Sequence, residues 1–249
     1  MYNNIKDIND LNDISSDLSN LNLCVLNEDI INTIQTKPLK SILKKKIEFQ
    51  TLNLKNIDYP NLRLIETIAD GSCFFHSILK ATNVNYFNDN HKSNYALNFR
   101  KSLAEKLTDE SNTKDKSDKS IYQTLSRGSL PELSQNLPEF SLEQMQFQLS
   151  NHISVDNRFN ELVSNELNID IYILDSETGD LYITGDDADI LYFDRPSVVL
   201  YYSPGHYRLV GVYEESDGMS DITDFFHYTH SFIVYLKNRM NILLNSRIK

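Results

Sequence analysis

The chain has 249 residues, 40% of them hydrophobic, enough for one sizeable core with extensions and too apolar for a wholly disordered protein. Acidic residues outnumber basic ones 35 to 24, and the net charge of −11 repels phosphate backbones, which argues against a nucleic-acid partner. Cys24 and Cys73 are too few for a disulfide framework or a zinc ligand set, no run reaches the ~18 apolar residues of a membrane span, and Met1–Asp7 lacks a secretory leader. The expected setting is reducing and intracellular, the interior of a host cell included, with no transmembrane segment and no metal or other cofactor.

In chain order, Ile5, Ile8, Leu11, Ile14, Leu18 and Leu21 recur every three or four residues, but the positions between them are largely Asn, Asp and Ser. That pattern predicts a weak helix that needs a partner surface. Residues 38–52 predict a firmer helix, with Leu39, Ile42, Leu43 and Ile47 on one face and Lys44–Lys46 in solvent. A strand-like run from Leu62 to Ile68 stops at the turn Asp70-Gly71-Ser72, and an apolar helix start follows from Cys73. A second helix is predicted over 93–107, a mobile surface segment over 108–120, and a loop bracketed by Pro131 and Pro138. Further helices are expected from Ser141 and over 156–167.

The period then drops to two. Strands are predicted at 169–174, 181–184, 197–202 and 207–213, the last two joined through Ser203-Pro204-Gly205-His206. Pro204 followed by Gly205 suits the central positions of a type II turn, so these two strands form a hairpin. Helices first and strands late define an α+β domain over residues 58–214, preceded by a helical extension over 1–57. Phe225, Tyr228, Phe232, Leu236, Met240 and Leu243 give residues 215–249 the stripe of a C-terminal amphipathic helix.

The chemistry concentrates at Asp70-Gly71-Ser72-Cys73-Phe74-Phe75-His76-Ser77. A thiol at the end of a turn and the start of a helix meets unpaired backbone amides, which stabilise a thiolate and are expected to lower its pKa. The same amides, with those of the turn, can donate to a tetrahedral oxyanion, and Gly71 lets the backbone approach a carbonyl. His206, at the tip of the hairpin and followed by Tyr207, is the base that such a thiol requires, and only the fold can unite the two. The other histidines read as packing or surface residues, His76 included. Asp186, Asp187 and Asp189 read as a solvated acidic loop, and Cys24 as inert.

These residues carry a resemblance. The Asp-Gly-x-Cys element at 70–73 with its aromatic continuation resembles the nucleophile motif of the ovarian-tumour (OTU) cysteine peptidases. Val198–Tyr202 and Gly205-His206-Tyr207 are similar to the strand and the His-aromatic element of that family. The strand Asn168–Ile173 falls between them in the expected order.

The resemblance implies a papain-like OTU fold, with helices around a small, mostly antiparallel sheet. It also implies a thiol-dependent deubiquitinase, acting after the C-terminal glycine of ubiquitin or a ubiquitin-like protein. Cys73 would be the nucleophile, His206 the base, and Asp70 the support of the oxyanion loop. Gly71, Ser72, Tyr207 and Arg208 would line the oxyanion and substrate positions, and ubiquitin or polyubiquitin would be the partner.

One position departs from the family. Many members carry Asp or Asn two residues after the histidine, whereas this chain has Arg208, which cannot accept the imidazole N–H. Arg208 is expected to contact substrate or an acidic side chain on the neighbouring strand. The orienting group is then Asp70, an acid upstream of the core, or absent. A catalytically weak ubiquitin-binding module on the same scaffold is therefore the alternative reading. A third is an interaction protein whose terminal helices carry the function.

Overall fold

The computed structural model describes residues 49–108, 126, 129–137, 140–155, 157–182, 193–216 and 219–247. The stripe over 1–22, Cys24, residues 38–48 of the second predicted helix, most of the segment 108–120, Pro138 and the acidic loop at 186–189 lie outside these residues.

The described residues form an α+β fold around one mixed sheet. Its strands are β1 (Phe49–Thr51), β2 (Leu62–Ile65), β3 (Asp170–Asp175), β4 (Asp180–Leu181), β5 (Ser197–Ser203), β6 (His206–Ser216) and β7 (Met219–Thr223). They lie in the order β1-β2-β6-β5-β3-β4, with β7 folded back on the far half of β6. Every pairing is antiparallel except β3 with β5. The predicted hairpin is present: Ser203 faces His206 across a turn in which Gly205 has φ +80°, the left-handed value that a type II turn demands.

The central strands are buried on both faces, and alternation divides their side chains between two cores. Ile171, Ile173, Val198, Leu200, Leu209 and Ile65 point to one side. There they meet α1 (Cys73–Thr82), α3 (Lys92–Lys106), α5 (Leu142–Ser150) and α6 (Asn160–Leu167). Tyr172, Leu174, Val199, Val210 and Val212 point to the other side, where α7 (Ser231–Arg247) lays Phe232, Ile233, Leu236 and Met240 over them. The short α2 (Val84–Asn88) and α4 (Ser129–Asn136) complete the set.

Three local expectations change. The end of the helix predicted over 38–52 is strand instead, since Phe49–Thr51 pair with Arg63–Ile65. Pro131 does not bound a loop but lies in the first turn of α4, where its missing N–H has no intrahelical acceptor to lose. The C-terminal region is not helical from 215 onward. First β6 and β7 extend the sheet, then Phe226 forms a bridge to Ser197, and only then does α7 begin. Among the described residues no helix is long and apolar enough to cross a membrane.

Candidate active site

Cys73 is the first residue of α1, the helix against the middle of the sheet, eight of whose ten residues are buried. Phe74, Phe75, Ile78 and Leu79 are close to fully buried, so the helix that carries the thiol has little freedom to shift. The hairpin turn brings the start of β6 to the same place. The backbone N–H of Tyr207 donates to Cys73 Sγ at 3.4 Å across 134 residues of sequence. Ser77 Oγ and Thr67 Oγ1 both donate to the carbonyl of Tyr207, at 3.4 and 2.6 Å, and fix that end of β6 between α1 and the chain leaving β2. His206, half-buried, is the residue immediately before Tyr207, whose N–H meets the thiol.

The turn ahead of Cys73 packs closely against the chain's own backbone at 152–154, so Gly71 serves that contact. Gly71 has φ +84°, and a Cβ there would stand 2.6 Å from the carbonyl oxygen of His152. Asp70 accepts the Ser72 N–H at 2.9 Å, closing the turn. Ser72 occupies the N-cap of α1 but makes no side-chain cap. Its hydroxyl instead accepts from Arg100 Nη1 at 2.8 Å and lies 3.3 Å from His152 Nδ1. The first turn of α1 therefore has no side-chain cap, and the amides of Cys73 and Phe74 act on the thiol instead.

Arg100 is the residue that sequence reasoning missed. Its side chain is fully buried. Besides Ser72 Oγ it donates to the carbonyls of Gly71 (2.8 Å), Leu149 (3.1 Å), Gln148 (2.5 Å) and Ile153 (2.7 Å). One guanidinium thus fastens the Asp70–Ser72 turn to the end of α5 and the loop after it. Burial pulls its pKa down to about 10, against the opposing pull of Asp70 and Cys73, so it keeps its charge at neutral pH. A signal did exist. Arg100 sits in the middle of the α3 stripe Ala96, Leu103, Ala104 and Leu107, where a solvated arginine would not be placed.

His76 is likewise buried, as the packing reading expected. Its Nε2 lies 3.0 and 3.1 Å from the two Asp70 carboxylate oxygens, and its Nδ1 lies 2.7 Å from Tyr86 Oη. Burial pushes the Asp70 carboxyl up, but hydrogen bonds from Ser93, His76 and the Ser72 amide outweigh it and hold the group ionised below its ordinary value. A carboxylate on Nε2 fixes the tautomer: Nε2 donates to Asp70, and Nδ1 accepts from Tyr86. Asp70 is engaged with its own turn and with His76, and not with His206.

The electrostatics correct one expectation. Burial raises the Cys73 thiol above its ordinary pKa. The amides of Tyr207, Phe74 and Cys73 itself oppose this without winning, and Asp70 adds to the rise. Desolvation of a buried sulfur exceeds what a few amides return, so the thiol rests protonated. His206 moves the other way, lowered by burial and by Arg208 against an opposing contribution from Glu66. The resting pair is therefore a neutral thiol and a neutral imidazole. Among the described residues, His206 Nδ1 is buried and without a hydrogen-bond partner. The Tyr207 ring faces the core, edge-on to Phe74 at 5.3 Å, so this residue contributes its backbone N–H and its packing. Arg208 pairs with Glu66, Nε to Oε2 at 3.0 Å, and Nη1 reaches Ser203 Oγ at 3.2 Å.

No family model matches this chain, and no curated protein sequence does. Solved structures do resemble it. An ovarian-tumour (OTU) domain determined in complex with ubiquitin is similar at 13% identity with a TM-score of 0.42, over 74% of this chain and 84% of that one. The OTU domain of OTUD1 is similar at 16% identity with a TM-score of 0.37, over 60% and 85%. With likeness at that level, the functional reading rests on the chain's own residues.

Proposed function

We propose that this protein is a thiol-dependent hydrolase that cleaves the isopeptide or peptide bond after the C-terminal glycine of ubiquitin or a ubiquitin-like protein. The observation that carries the reading is the meeting of the Tyr207 N–H, next to His206, with Cys73 Sγ at the start of α1, beside a turn fastened by Arg100. The Asp-Gly-x-Cys and Gly-His-aromatic elements supply the substrate class through their resemblance to OTU peptidases.

In the mechanism, His206 takes the Sγ proton as the sulfur attacks the glycine carbonyl carbon. The oxyanion forms against the amides of the Gly71–Phe74 region, and the C–N bond breaks as His206 returns the proton to the departing lysine amine. Water then attacks the thioester with His206 again as base, which releases the carboxylate and restores the thiol. Because the resting pair is neutral, His206 must take the thiol proton before or during attack. Asp70 and Arg100 act through the turn, the first by closing it and the second by fastening it.

The unpartnered His206 Nδ1 and the raised thiol pKa favour a second reading, a ubiquitin-binding module with weak catalysis. One experiment separates the two. The full chain is incubated with ubiquitin bearing a thiol-reactive C-terminal warhead, and any adduct is located by mass spectrometry. The hydrolase reading expects an adduct on Cys73 that disappears in Cys73→Ala. Ubiquitin binding without an adduct supports the binding module, and an adduct on Cys24 refutes the assignment of the nucleophile.

A further inference from the structure

Arg208 stands two residues beyond His206 on the same face of β6, and a guanidinium can only donate. Its Nε donates to Glu66 Oε2 at 3.0 Å. Glu66 is the first residue beyond β2, and continuing the register in which Ile65 faces Leu209 sets Glu66 opposite Arg208. The bond from Thr67 Oγ1 to the Tyr207 carbonyl keeps that segment alongside β6 to its first residues. Strand alternation then gathers Glu66, Arg208 and His206 on one face of the sheet. Asp70, the other acid near the turn, is taken up by His76 and the Ser72 amide. Glu66 Oε1 has no hydrogen bond among the described residues, and the carboxylate is partly open to solvent, so it is free to take up a new donor.

We propose that Glu66, clamped by Arg208, is the carboxylate that positions His206 and stabilises its imidazolium as the thiol proton arrives. The inference rests on the thiol-hydrolase reading above. Arg208 is then a positioning residue that acts through Glu66, which accounts for arginine at a site where an acceptor was expected. The groups around the imidazole fit this role. Arg208 shares its strand and face, and Ser203 stands opposite it on β5. Lys80 of α1 reaches the Glu66 main-chain carbonyl at 2.7 Å, a second cation that holds this segment in place. Burial and Arg208 disfavour the imidazolium, and Glu66 is the charge that opposes them.

The test is a histidine-selective NMR titration of the full chain, paired with pH profiles of kcat/KM on a ubiquitin substrate bearing a fluorogenic C-terminal amide. A unit charge several ångströms away across a partly wetted surface moves a titration by about half a pH unit. Glu66→Gln should lower the His206 midpoint and the acid limb of the profile by that amount. It should also reduce kcat about tenfold with little change in KM, and Glu66→Asp should restore part of the loss. Arg208→Ala should move the His206 midpoint upward. An unmoved His206 midpoint in Glu66→Gln overturns the inference, even if the enzyme is otherwise slowed. Failure of the warhead to label Cys73 in the native chain sinks the hydrolase reading instead, and the titration still decides whether Glu66 is coupled to His206.

Discussion

Replacing Gly71 with alanine tests whether the turn ahead of Cys73 is as tightly set as its contacts imply. Two costs arise. A non-glycine residue at φ +84° carries backbone strain of roughly 1–2 kcal/mol. The new Cβ would also meet the His152 carbonyl oxygen at 2.6 Å and its carbon at 3.0 Å. Those are backbone atoms beside Ile153, whose carbonyl is held by Arg100, so they cannot swing away as a side-chain tip would. Overpacking of this kind costs a further ~1–3 kcal/mol. The sum, about 3 kcal/mol, corresponds to a fall in Tm of roughly 6–12 °C for a domain of this size. Gly205→Ala is the internal control, because Gly205 shares the positive φ, +80°, but has nothing within 4 Å of a built Cβ. Urea unfolding followed by circular dichroism should separate the two variants by the steric cost alone. Displacement of the turn should also lower kcat by about a hundredfold through loss of an oxyanion donor. If Gly71→Ala proved no less stable than Gly205→Ala, the fastening of this turn to the 148–153 loop would be wrong.

Other consequences follow from the same geometry. Cys73→Ala should abolish hydrolysis while leaving ubiquitin affinity and Tm unchanged, as read by calorimetry. His206→Ala should lower kcat by at least a thousandfold, since nucleophile and base act as a unit, and retained turnover would point to another base. Because burial raises the Cys73 pKa, iodoacetamide labelling of the free protein should still be climbing above pH 9. A plateau between pH 6 and 7 would instead reveal a preformed thiolate–imidazolium pair. Truncation after residue 224 removes Phe226, Phe232, Ile233, Leu236 and Met240, all buried, each contributing about 1.5–3 kcal/mol. That total rivals the whole stability of a typical domain, so the shortened chain should fail to give a cooperative thermal transition.

Much of this was readable in the residues because it is local. Asp70-Gly71-Ser72 ahead of Cys73 announces a turn into a helix, Pro204-Gly205 announces a hairpin, and both are as expected. The strands at 170–175 and 197–203 follow from β-branched content, although their parallel pairing depends on the connection between them and not on either strand. What local pattern could not supply was partnership. Phe49–Thr51 become strand because β2 offers a free edge, which overrides the helical spacing of the residues before them. Neither Arg100 nor Glu66 stood out in the sequence, since their partners lie 28 to 53 and 142 residues away. The direction of the Cys73 pKa was misjudged for a related reason: helix amides are visible in a sequence, but the degree of burial that opposes them is a property of the assembled fold.

The place of β2 in the sheet also sets a schedule. It lies between β1 and β6, and its partner residues Leu209–Val212 are made some 150 residues after it. At roughly 5–20 residues per second, a ribosome needs on the order of ten seconds to supply them. During that interval β2 presents an unsatisfied edge, and Cys73 lacks both the Tyr207 amide and the strand that carries His206. The nascent chain therefore carries the Cys73 sulfur without its Tyr207 partner until β6 closes against β2. Contacts so distant in sequence make that closure slow. Until β6 is made, the edge of β2 that it will cover stays unpaired.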